Sequence, residues 1–147
     1  ASVTPGQNAE GVHLKALTVL VDGLIDLGLL KGETNSLIEQ RAYSHLYMHR
    51  TGHWLGLDVH DVGAYRLGEY PVELESGMIL TVEPGIYVSD RLSLPAGQPE
   101  IDERWKGIGI RIEDDVLVTE QGPLVLSSSC PKMLDEIEQI VGKREND

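Results

Sequence analysis

Four of the five histidines fall within sixteen residues: His45, His49, His53 and His60. Gly52 and Gly56 lie between them, and Gly63 follows shortly after. Imidazole nitrogens combined with carboxylate oxygens are the ligand set of catalytic zinc, manganese and cobalt sites. His49 and His53 are four residues apart, but HRTGH lacks the glutamate of an HExxH motif and contains a glycine, which disfavours a helical zinc site. His13 and His45 are better interpreted as ordinary surface or core histidines satisfied by their neighbours.

Two glutamates lie inside otherwise apolar strand patterns, Glu83 in GMILTVEPGIYV and Glu113 in GIGIRIEDDVLV. Side chains alternate along a strand, so Thr81 shares a face with Glu83 and Arg111 shares a face with Glu113, opposite an apolar face. A buried carboxylate needs a cation, either a metal ion or an arginine. The alternative is that both glutamates simply reach solvent, but the Pro-Gly after Glu83 favours a bend beside a site. The residues alone therefore support a metal-site hypothesis built from His53, Glu83 and Glu113.

The composition indicates one soluble globular domain over residues 1–147, with 41% apolar and 24% charged residues. The formal charge of -12 argues against a nucleic-acid partner. The single cysteine, Cys130, cannot form a disulfide within the chain, and residue 1 does not open a signal peptide. No apolar run approaches the ~20 residues of a membrane span, so we expect no membrane partner. The single cysteine fits a reducing compartment, and we expect a cytoplasmic location.

The periodicities predict an α+β fold in which an antiparallel sheet is flanked by helices. The first predicted helix covers residues 8–27 and ends at Gly28. The second covers residues 34–40, with Thr34 or Asn35 as its cap. The third covers residues 132–141 and carries one apolar stripe. The predicted strands cover residues 78–83, 108–119 and 123–126, and residues 89–106 are predicted to be a surface loop.

Three long blocks occur in order in the chain: MHRTGHWLGLDVHDVG, GMILTVEPGIYV and GIGIRIEDDVLVTEQG. Over residues 2–127 they closely resemble the Xaa-Pro aminopeptidases (aminopeptidase P), a family of pita-bread metallopeptidases. The resemblance implies the C-terminal half of a pita-bread catalytic domain. It also implies hydrolysis of the peptide bond between an N-terminal residue and proline, so the partner would be a peptide with proline at its second position.

The resemblance implies metal ligands at His53, Glu83 and Glu113, with Glu113 bridging two metal ions and Glu83 also taking the proton of the attacking water. Two ions can activate that water and polarise the scissile carbonyl without a covalent nucleophile. Mostly oxygen ligands favour Mn²⁺, which the resemblance also implies, and Zn²⁺ or Co²⁺ are the alternatives.

The resemblance also implies the groups around the metals. His60 would hydrogen-bond the substrate, His49 would line the pocket for the proline side of the bond, and Arg111 and Tyr87 would orient the acidic ligands. The family commonly has Gly-Leu after the first histidine, where this chain has Arg50-Thr51, so we expect intact ligands but an altered local pocket.

The family's other two ligands are aspartates from strands ahead of this segment, so we expect the chain to lack the N-terminal half of the domain. Alone it should bind metal weakly, and the face left uncovered should favour a homo-oligomer. Two alternatives stay open: a prolidase acting on Xaa-Pro dipeptides, and a non-catalytic pita-bread module that binds peptides or proteins.

Overall fold

In the computed structural model, which describes residues 2–142, two helices precede a run of seven short antiparallel strands, and a third helix follows them. The α-helices are α1 (Ala9–Asp26), α2 (Thr34–Glu39) and α3 (Leu134–Ile140). The strands are β1 (Arg66–Leu67), β2 (Tyr70–Pro71), β3 (Ile79–Val82), β4 (Gly85–Val88), β5 (Ile108–Arg111), β6 (Asp114–Leu117) and β7 (Leu124–Val125). This mixture confirms the predicted α+β class, although the strands of the described chain form three small sheets rather than one.

Helix α1 begins and ends close to the predicted positions. The Asn8 side chain accepts a hydrogen bond from Gly11 N at 2.8 Å, which satisfies one of the free amides of the first turn. Gly28 has a φ of 73°, the left-handed conformation that ends a helix. Leu24 O then accepts from Leu29 N at 2.8 Å and from Leu30 N at 3.1 Å, so the chain turns back against the helix.

The cap of α2 differs from the prediction of Thr34 or Asn35. The Glu33 carboxylate caps the helix instead, accepting from Asn35 N at 3.1 Å and Ser36 N at 2.9 Å. A carboxylate both satisfies two free amides and complements the positive end of the helix dipole. The Thr34 hydroxyl donates to Asp22 of α1, so its capping capacity is used to join the two helices.

A two-stranded antiparallel ribbon dominates the strand region. Residues 79–82 pair with 114–117, and residues 85–88 pair with 108–111, in one continuous register. The predicted strand over residues 108–119 is therefore split at Ile112 and Glu113. Pro84 explains the split, because it has no amide proton to donate to the ladder. β7 pairs with β6, as the predicted return of residues 123–126 requires.

Two apolar clusters support the ribbon. One joins α1 to α2 and the segment after it, with Leu17, Val21, Leu24, Leu46 and Tyr47 among its buried members. The other lies against the β3–β6–β7 sheet and contains Val3, Val12, Leu74, Leu80, Val116 and Val118. Helix α1 contributes to both clusters, so it holds the two parts of the fold together.

Two apolar patterns are not covered within residues 2–142. Ile110 on β5 is 61% exposed, although the alternation predicted a buried face there. The apolar stripe of α3 is also exposed, with Leu134 at 77%.

The loop predicted over residues 89–106 contains a 3₁₀ turn at Glu103–Trp105. Across the described residues, no helix combines the length and the hydrophobicity that a bilayer span requires.

Candidate metal centre

Two carboxylates meet at the interruption of the ribbon. Val82 pairs with Asp114, and Gly85 pairs with Arg111 in the same register, so Glu83 falls opposite Glu113. Glu83 is only 8% exposed, which contradicts a purely solvent-facing position for it, whereas Glu113 is exposed. Like charges directly across a strand pair repel each other. The pair therefore creates a position where a cation is favoured.

The histidine segment lies along the other edge of β3. Glu83 N donates to Thr51 O at 2.6 Å, and Thr81 N donates to His53 O at 2.9 Å, so residues 51–55 extend the ladder. A Cβ on Gly52 would lie 1.9 Å from the backbone oxygen of Thr81, so only glycine permits this close approach. The contact places His53 next to Glu83.

One donor atom from each of His53, Glu83 and Glu113 lies within 4.8 Å of the others. His53 Nδ1 lies 3.0 Å from Trp54 O and donates to it, which leaves the Nε2 lone pair free in the neutral ring. Nε2 then faces Glu83 Oε1 at 3.4 Å. Two electron-rich atoms at this distance are stabilised by a cation between them, so the donor set fits a divalent metal ion.

The Glu83 carboxylate is oriented by its neighbours. Arg111 Nη1 lies 3.2 Å from Glu83 Oε2. The Thr81 hydroxyl donates to Glu83 Oε1 at 3.3 Å, as expected for two residues predicted to share a strand face. Arg111 Nε also donates to the Tyr87 hydroxyl at 2.7 Å. This hydrogen bond, followed by attraction to Tyr87, Glu83 and Glu113, raises the pKa of Arg111 above its ordinary value. The carboxylate is therefore held beside a permanent positive charge.

His49 belongs to the same network. Its Nδ1 lies 2.7 Å from Arg50 O and donates to it, so its Nε2 accepts from the Tyr87 hydroxyl at 3.0 Å. Tyr47 packs edge-on against the ring, with the ring centroids 4.8 Å apart. The position of His49 is thus fixed from three sides.

His60 is exposed and packs edge-on against His53, with the ring centroids 4.3 Å apart. Both rings open onto a cavity of about 720 Å³ that also reaches Glu83, Arg111 and His49. The structure therefore brings five of the seven predicted site residues to the wall of one cavity. The other two contact this group: Tyr87 accepts a hydrogen bond from Arg111, and Glu113 clusters with His53 and Glu83.

The sequence placed Thr81 on the face of Glu83, but it did not predict the supporting contacts of Thr51 or the close approach at Gly52. Only the glycine between two histidines signalled that approach. Of the two histidines set aside, His45 is exposed, and His13 lies 2.8 Å from the Thr51 hydroxyl, so both are accounted for by their surroundings.

Comparison with known proteins agrees with this geometry. The sequence profile of metallopeptidase family M24 matches residues 1–120. An Xaa-Pro aminopeptidase of Haemophilus influenzae is 45% identical over 139 residues, which cover 95% of this chain and 30% of that protein.

Two solved structures show the same fold. Aminopeptidase PepP of Pseudomonas aeruginosa superimposes with a TM-score of 0.84 at 46% identity, covering 94% of this chain and 30% of that one. Zinc-substituted aminopeptidase P of Escherichia coli in complex with product gives 0.78 at 44% identity, covering 92% and 29%.

The chain belongs to metallopeptidase family M24 and has the pita-bread type of fold that its sequence predicted. It spans about 30% of the length of the curated relatives it matches.

Proposed function

We propose that the protein carrying this chain is an Xaa-Pro aminopeptidase, which hydrolyses the bond between an N-terminal residue and a following proline. The convergence of His53, Glu83 and Glu113 within 4.8 Å is the observation that carries the proposal. The name of the Haemophilus influenzae relative supports the reaction and a peptide substrate.

In this proposal His53, Glu83 and Glu113 would hold the metal, and Glu113, which lies directly across the ribbon from Glu83, would be the ligand shared by two ions. When bound, the ions supply Lewis acidity, which lowers the pKa of a water and polarises a carbonyl. Glu83 would receive the proton of the attacking water. Arg111 would orient the Glu83 carboxylate for this role, because its Nη1 lies 3.2 Å from Glu83 Oε2.

The substrate roles fall to the two other histidines. His60 is exposed beside His53 and opens onto the cavity, so it can hydrogen-bond the substrate as the carbonyl carbon becomes tetrahedral. His49 borders the same cavity, fixed by Tyr87, and would line the pocket for the proline side of the bond.

The family consists of metal-dependent peptidases, and we propose Mn²⁺ as the metal, with two ions in the complete site. Two carboxylates and one imidazole form a hard ligand set that suits manganese, while Zn²⁺ and Co²⁺ accept the same donors. Further ligands would come from other parts of the catalytic domain.

The negative net charge and the single cysteine are consistent with a cytoplasmic protein, which we propose as its location. The exposed apolar residues of β5 favour a homo-oligomer.

Peptide length provides the test. The whole protein, loaded with Mn²⁺, is assayed with an Xaa-Pro-Xaa tripeptide and the matching Xaa-Pro dipeptide, with a chelated sample as the control. We expect faster cleavage of the tripeptide and no cleavage after chelation. Preference for the dipeptide would identify a prolidase. Binding of both peptides without cleavage would identify a non-catalytic module.

A further inference from the structure

A polar cluster behind the metal centre links helix α1 to the histidine segment. His13 Nδ1 lies 2.8 Å from Thr51 Oγ1, and the Tyr47 hydroxyl lies 2.7 Å from the same oxygen. Thr51 and Tyr47 are each 1% exposed, and His13 is partly buried. A hydroxyl offers one proton and two lone pairs, so Thr51 can satisfy both partners. The side chain of Thr51 is therefore held from two directions.

The backbone of Thr51 contacts the backbone of a predicted metal ligand. Its carbonyl accepts from Glu83 N at 2.6 Å, and two residues later His53 O accepts from Thr81 N at 2.9 Å. Thr51 is the first residue of the segment that carries His53 along β3. A displacement of the Thr51 backbone therefore moves the carbonyl that accepts from Glu83 N and the start of the segment that presents His53.

His13 is the one group in this cluster that comes from a distant element. It lies on α1, 38 residues before Thr51, whereas Tyr47 is only four residues away from Thr51. Burial, and then the charges of Arg50 and His49, lower the pKa of His13 to about 4. The ring is thus neutral near pH 7 and stays a one-donor, one-acceptor group.

We propose that His13 is a positioning residue of the metal centre: through Thr51 it fixes the segment that brings His53 against Glu83. The inference rests on the proposed metallopeptidase function. His13 itself touches neither the metal ligands nor the reacting atoms. It acts by keeping His53 aligned with Glu83. Groups that lie behind metal ligands affect metal affinity in this way.

The test replaces His13 with phenylalanine and with asparagine. Phenylalanine fills the space without the hydrogen bond, and the Asn side-chain amide places a polar atom near the position of Nδ1. We expect His13→Phe to raise the Mn²⁺ Kd about tenfold and to lower kcat with little change in KM, while His13→Asn stays close to the unsubstituted protein. The matched control is His45→Phe, because His45 is an exposed histidine outside the cavity.

Mn²⁺ affinity is measured by calorimetry on the folded, metal-free whole protein, and unfolding temperatures are recorded alongside. A lower unfolding temperature with unchanged affinity would show a purely structural role and overturn the proposal. An asparagine variant as weak as the phenylalanine variant would also overturn it, since the hydrogen bond would then not matter.

Thr51→Val removes the hydroxyl that both His13 and Tyr47 contact, and it keeps the proposal testable if His13→Phe does not fold. We expect at least the tenfold loss of affinity of His13→Phe, and no further loss when His13→Phe is added to Thr51→Val. Unchanged affinity in Thr51→Val contradicts the proposal. An unsubstituted protein that binds no Mn²⁺ would overturn the metal centre itself, and the positioning role with it.

Discussion

Gly52 offers the sharpest test of how the ligands are brought together. In Gly52→Ala the new Cβ would lie 1.9 Å from Thr81 O, whereas real Cβ contacts below 3.0 Å essentially never occur. The clashing atom belongs to the backbone, so no side-chain rotation relieves it. The histidine segment and β3 must separate by roughly 1 Å, and a displacement of that size near reacting groups costs about 100-fold in turnover.

The assay measures kcat on an Xaa-Pro-Xaa peptide and Mn²⁺ affinity by calorimetry, both with the whole protein. We expect kcat to fall about 100-fold and the affinity to weaken, because His53 moves away from Glu83. Gly23→Ala is the matched control. Gly23 lies in α1 with nothing within 4 Å of an added Cβ, so activity should be unchanged and stability should rise by about 0.5–1 kcal/mol. Ordinary turnover and affinity in Gly52→Ala would refute the close-approach argument.

Three further predictions concern single side chains. Glu113→Gln should abolish turnover and weaken Mn²⁺ binding. The metal-free variant should be at least as heat-stable as the unsubstituted protein, because the repulsion between Glu113 and Glu83 is removed. Full turnover with a full metal complement would refute the bridging role. His60→Ala should keep its metal and lose most of its turnover, and loss of metal would instead identify His60 as a ligand. The unfolded chain takes up the His13 proton near pH 6.5 but the folded chain only near pH 4, so the metal-free protein should lose stability as the pH falls through this range. The His13→Asn variant should lack that part of the pH-dependent loss of stability, as measured by thermal unfolding. Identical pH profiles for the two proteins would contradict the lowered pKa of His13.

Local patterns were sufficient to predict the elements that carry the site. The apolar spacing of α1 and the glycine after it located that helix to within a residue at each end. Strand alternation correctly placed Thr81 on the face of Glu83, where its hydroxyl contacts the carboxylate. These features depend on neighbours within a few residues, so they are readable without the fold.

Features set by distant pairing were not predictable in the same way. The position of Glu83 opposite Glu113 depends on the register of two strands joined by a long loop, and alternation within one strand does not contain that register. The course of residues 51–55 beside β3 has the same origin. The capping of α2 by Glu33 was missed because Thr34 is the better cap by type, but its hydroxyl is used by Asp22.

The unbroken register of the ribbon has a consequence for how this chain can vary among its relatives. Inserting or deleting one residue within 79–88 or 108–117 would turn one of the two glutamates to the opposite face, away from its counterpart. The connection over residues 89–107 carries no such constraint, because the strands it joins are aligned by their own ladder. Differences in chain length should therefore accumulate in that connection and be nearly absent from the ribbon.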